Sequence, residues 1–153
     1  MTDIMVTNNR ITAMTSVAID KVNRLTDALS TVPNMLVTTD HVVHGGMYAR
    51  TILMPKDTVM TGALIKVPTI LIVSGHATVW MGNECIEVAG YKVFAASAHR
   101  KQAFVFHEDT QLTMLMHTES KTIHDIEAEF TDEADSLMSR KESAINNIDI
   151  TGE

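Results

Sequence analysis

The side chains of this 153-residue chain that could do chemistry lie mostly between residues 41 and 118, which hold six of the seven histidines and six of the twelve Lys and Arg residues. Arg50 sits inside "MYARTILM", an otherwise apolar stretch where a charge without a partner is costly. Lys66, Arg100 and Lys101 follow it. Arg offers a planar fork of donors and Lys a point charge, so two or three that converge would suit a carboxylate, a phosphate or a nucleotide. His99 is a candidate general acid or base, because an unperturbed imidazole titrates at about pH 6.5. His41 and His44 in "HVVHGG" are three apart and face opposite sides of a strand, so they do not readily share one ion. A relocated metal site would need His99, His107 or His117 from other strands, against the commoner use of isolated histidines as hydrogen-bonded or surface residues. Cys85 lies beside Glu84 and Glu87, acids that raise a thiol pKa, and is rejected as a nucleophile. The eleven methionines are read as core filling.

The elements that must position these groups follow from periodicity. From Thr12 to about Val32, apolar residues at Met14, Val17, Ala18, Val22, Leu25, Leu29 and Val32 mark one face of an amphipathic helix that ends at Pro33-Asn34. The first eleven residues read as a loose arm. Between His41 and Thr118, runs of four to eight residues rich in β-branched types alternate with turn signals, which predicts eight or nine antiparallel strands in a small barrel or sandwich. After Thr118, Ile123, Ile126, Phe130, Ala134, Leu137 and Met138 restore the helical period, with Thr122 as a cap and a break near Phe130. The end, from about Glu142, reads as frayed. The organisation is thus an N-terminal arm and helix over 1–40, a β-barrel over 41–118, and an acidic helix and tail over 119–153, one structural domain overall.

Composition bounds the rest. At 45% hydrophobic and 20% charged, the chain suits one globular core, and no apolar run approaches the roughly 20 residues of a membrane helix. The start lacks the pattern of a secretory signal and a single cysteine forms no internal disulfide, so the expected compartment is cytoplasmic. A net charge of −7 argues against a general nucleic-acid surface. That charge is unevenly spread: residues 119–153 carry ten acids and three bases, whereas 41–118 carry five acids and six bases.

The central block resembles a cupin, a double-stranded β-helix barrel. "TVMTGALIKVPTILIVSGHATV" from Thr58 to Val79 resembles the first cupin motif, and the stretch from Gly90, "GYKVFAASAHRKQAFVFHEDTQLTML", resembles the second. The chain is also similar to cupin-like bacteriophage proteins in "HGGMYARTI", "RKQAF" and "AEFTDEAD", which would place it in a host cytoplasm. Where the family's metal ligands would fall, this sequence has Gly62, Leu64, Lys66, Ile70 and Lys101. None of these side chains suits a divalent ion, so no metal and no cofactor are expected. The resemblance further implies that Tyr48, Arg50, Lys66, His99, Arg100 and Lys101 face a barrel mouth, where they would bind a small anion. An enzyme (isomerase, lyase or hydrolase) using His99 or Tyr48, and a structural or interaction module working through its helices, are the alternatives. Two amphipathic helices around so small a barrel imply a homo-oligomer, with a dimer the simplest form.

Overall fold

Alternation of inward apolar and outward polar side chains sets the strands, and the computed structural model, which describes residues 4, 9–33, 35–81 and 84–153, places nine of them. They are β1 (Arg10–Ile11), β2 (Thr38–His44), β3 (Met47–Met54), β4 (Thr58–Thr61), β5 (Thr69–Met81), β6 (Glu84–Ala96), β7 (Ala103–Phe106), β8 (Thr110–His117) and β9 (Ile145–Ile150). The main sheet runs β1-β6-β5-β8-β3-β2-β9, with β4 paired to β7 and β7 paired to β5. This is the mainly β, cupin-like barrel with flanking helices that the sequence predicts.

The short runs read as pairs of strands are in fact two long ones. β5 and β6 each continue through a glycine, at Gly75 and Gly90, which face each other in one antiparallel ladder. The first half of β5 pairs with β8 and its second half with β7, so one strand turns the corner between two sheets. Gly75 makes that turn at φ 146°, with the backbone of Asp109 and Thr110 against its open side. Inside the corner Leu71, Val73, Val79, Phe94, Phe104 and Phe106 form one packed core. The barrel interior is filled by side chains.

The helix α1 (Ser16–Leu29) starts where Thr15 accepts a 3.1 Å bond from the Ala18 amide. It buries Ala18, Ile19 and Val22 with Met14 against Leu64 and Met81 of its own barrel. Val17, expected on that face, is exposed, and Ile19 takes its place. The helix α2 (Ile123–Phe130), capped by Thr122, buries Ile126 and Phe130 against Val43, Tyr48, Met114 and Met116.

Two expectations for the ends are corrected. The C-terminal helix closes at Phe130 and gives way to 3₁₀ turns at 134–136 and 138–140. The tail expected to fray instead forms β9, which pairs in parallel with β2 from Thr38↔Ile145 to Val43↔Ile150. A parallel partner about a hundred residues away leaves no hairpin signal. Of the expected N-terminal arm, Arg10 and Ile11 pair with β6, while residues 1–3 and 5–8 lie outside the described residues.

Candidate functional site

The six side chains expected to line a mouth divide into separate groups. Tyr48 and Arg50 face inward on β3, beneath α2. Arg50 Nη1 donates to Glu127 Oε2 at 2.8 Å and, more weakly, to the Tyr48 hydroxyl at 3.3 Å, while Nη2 donates to Ser139 Oγ at 2.9 Å. Its guanidinium carbon lies 5.6 Å from the centre of the Phe130 ring. Glu127 also accepts from Arg140 Nε at 2.8 Å and from Ser139 Oγ at 2.5 Å. Burial raises the Glu127 carboxyl, and the donors Ser139, Arg140 and Arg50 more than reverse this, holding it below the usual carboxylate range.

The network continues to β2 and β9. Asn146 Nδ2 donates to the Ser139 carbonyl at 2.9 Å, which turns its Oδ1 to accept from His41 Nε2 at 2.7 Å. His41 Nδ1 therefore accepts the Tyr48 hydroxyl proton at 2.7 Å. Burial lowers the His41 pKa and raises that of Tyr48, so both stay neutral. Both are sealed from solvent, which leaves Tyr48 unsuited to acid-base work on a diffusing substrate.

Lys66 and Lys101 meet the adjacent acids Asp132 and Glu133. Lys66 Nζ donates to Asp132 Oδ1 at 2.6 Å on the surface, and the buried Lys101 Nζ donates to both Glu133 oxygens at 3.0 Å. An open groove of about 500 Å³ beside Lys101 is also lined by Asp27, Asp132, Glu133 and Asp135, a balance that repels anions. His99 is exposed at φ 64°, and its main chain ties the Met14 amide to Ile65. Arg100 differs from the other cations. It is 2% exposed and donates only to neutral acceptors: Ser97 O at 2.7 Å, Thr69 Oγ1 at 2.6 Å and Gln102 Oε1 at 3.3 Å. Desolvation lowers its pKa to about 10.

The acids that answer these cations come from 119–153, the segment holding the net negative charge. Sequence separation hid this pairing: Arg50 and Glu127 are 77 residues apart. A second group, His76, Glu87 and His107, was also missed. It sits on the outer face of the corner, with ligand-type atoms all within 4.8 Å of one another. Only the β5–β6 and β5–β7 registers bring them together.

The other side of the main sheet is bare. Across its outer face run Val42, Ala49, Leu115, Ile70 and Ala95, paired in register on β2, β3, β8, β5 and β6. The neighbouring row is Asp40, Thr51, Thr113, Ile72 and Val93. Val42 is 41% and Ile70 45% exposed. Charge is confined to the ends, with Asp149 opposite Val42 at one edge and Arg10 opposite Ala95 at the other.

No family model matches the chain, and no curated protein matches it. Among solved structures it is similar to a cupin superfamily protein from Desulfitobacterium hafniense (12% identity, TM-score 0.45, covering 59% of this chain and 86% of that one). It is also similar to a cupin-2 domain protein from Shewanella frigidimarina (8%, TM-score 0.44, 61% and 91%) and to KdgF from Halomonas sp. (16%, TM-score 0.43, 55% and 78%). None of these likenesses bears on the bacteriophage resemblance. No helix among the described residues is long and apolar enough to cross a membrane.

Proposed function

We propose that this cupin-like chain is a structural or interaction module that assembles with a second copy through the outer face of its main sheet. The observation that carries the reading is the uncharged Val42–Ala95 row, flanked by Asp149 at one edge and Arg10 at the other. A twofold axis parallel to the strands sets each apolar row on its counterpart. It also brings the acidic edge of one copy over Arg10 of the other. Such a contact is isologous and buries apolar surface without stranding a charge. Two chains of net charge −7 repel each other elsewhere, which favours this neutral face. The helices differ from the module first expected: their apolar faces are engaged with their own barrel.

The test is multi-angle light scattering of the wild type and of a Val42→Lys/Ile70→Lys variant. Both positions are exposed in the single chain, so the substitutions leave its core intact. The wild type is expected at twice the 16.9 kDa chain mass and the variant at the chain mass. A wild type that stays monomeric at its highest soluble concentration would refute the proposal.

Arg100 supports a second reading, that the chain binds a small anion such as a carboxylate or phosphate. Its charge has no carboxylate among its hydrogen-bond partners, and the Gln102 Nε2 beside it is buried without a partner. A small anion would supply both the missing counter-charge and an acceptor. Citrate, phosphate and a nucleoside monophosphate are each expected to raise Tm in a thermal-shift screen if this holds, and Arg100→Gln to remove the rise. Equal shifts in wild type and variant would assign the effect to another site.

A further inference from the structure

Two imidazoles and a carboxylate meet on the outside of the corner, away from the packed interior. His76 and Thr78 are outward residues of β5, because Ala77 and Val79 between and beside them face the core. Glu87 lies opposite Thr78 on β6, and His107 follows β7 directly. The His107 amide donates to the His76 carbonyl at 2.9 Å, which fixes the two residues at one level of adjoining strands. His76 Nε2 lies 2.6 Å from Glu87 Oε1, and His107 Nε2 lies 2.7 Å from Thr78 Oγ1. The two imidazole centres are 4.8 Å apart and inclined at 54°, so the rings are tilted toward a common point without stacking.

From this geometry we infer that His76, Glu87 and His107 form a surface site for a divalent transition-metal ion of the zinc class. Two imidazole nitrogens and one carboxylate oxygen suit zinc, nickel or copper, whereas magnesium and calcium select oxygen ligands throughout. Around a tetrahedral ion with bonds of about 2.0 Å, ligand atoms stand about 3.3 Å apart. Donor atoms already within 4.8 Å reach that spacing by side-chain rotation alone. The strands that carry them are paired by continuous ladders, so the backbone is set before the ion arrives. Thr78 holds the His107 ring as an outer hydrogen-bond partner does in metal sites, and the fourth position is open to water. The bound ion would clamp β6, β5 and the end of β7 together. It would therefore raise Tm by mass action.

The test is calorimetric titration of the untagged, chelator-treated full chain with zinc sulfate, alongside thermal shift. One zinc per chain is expected, with a rise in Tm. His107→Ala and His76→Ala/Glu87→Gln are each expected to weaken binding at least tenfold while the far-ultraviolet circular dichroism stays unchanged. A His44→Ala/His117→Ala variant removes two other surface histidines and is expected to bind as the wild type does. The inference fails if no zinc binds, if binding survives either site variant, or if the His44/His117 variant loses it.

Discussion

Glu127→Gln is expected to destabilise the chain by about 3–5 kcal/mol, the cost of breaking a buried ion pair from one side. The Glu127 side chain is 3% exposed, and it answers Arg50 on β3 as well as Arg140 after α2. Neutralising it leaves the half-buried Arg50 beside Phe130 without a counter-charge, and Arg140 keeps only the exposed Asp135. Of a typical total of about 5–15 kcal/mol, that is a large share. Urea denaturation would measure it, and a loss below about 1 kcal/mol would mean that water reaches the pair and screens it. The pH profile offers a separate check. The Glu127 carboxyl is held lower in the folded chain than in the unfolded one, so its contribution is complete above the unfolded pKa and disappears as pH falls through the folded pKa. Wild type should therefore lose stability in acid more steeply than Glu127→Gln. A double replacement, Arg50→Met with Glu127→Leu, should recover part of the loss, because an apolar pair strands no charge.

Gly75→Ala should be comparably severe. A Cβ at this position would collide with Thr110 Oγ1 and come within 2.8 Å of both the Asp109 carbonyl oxygen and the Thr110 Cα. Two of these neighbours are backbone and cannot rotate away, and φ 146° is strained for any L side chain. Strain and overpacking together are worth about 2–6 kcal/mol. The damage would spread, since Thr110 is buried and its hydroxyl accepts the His76 amide at 3.1 Å. Gly62→Ala serves as the control: its added Cβ would meet the Gln102 carbonyl oxygen at an ordinary 3.6 Å. Thermal melts that place the two variants within a degree or two of each other would show that the corner does not depend on Gly75.

These two positions also mark what could be read from the chain alone. The "MYARTILM" strand and the capped starts at Thr15 and Thr122 were legible, because alternation and capping are local signals. The continuity of β5 through Gly75 was not, since a glycine in a strand ends it or bends it with the same letter. Arg50 was recognisable as a charge in need of a partner, but Glu127 could be named only once α2 was folded over β3. His76 and Glu87 escaped notice for a related reason: ligand sets built across strands depend on register, which alternation leaves free by whole pairs. The exposed row from Val42 to Ala95 shows the same limit, as each residue looked like an ordinary strand residue until five strands were laid side by side.

The strand β9 is exposed along its whole length, and apart from its ladder to β2 it is held by Asn146, bonded to His41 and Ser139, and by Asn147, bonded to Asp40. So thin an attachment should open at low free energy, with amide protons that exchange long before those of β5 or β8. While it is open, the edge of β2 is an unpaired template for strands from other molecules. The last strand thus acts as a guard on that edge, and its fastening, more than the depth of the core, sets how readily the folded protein aggregates.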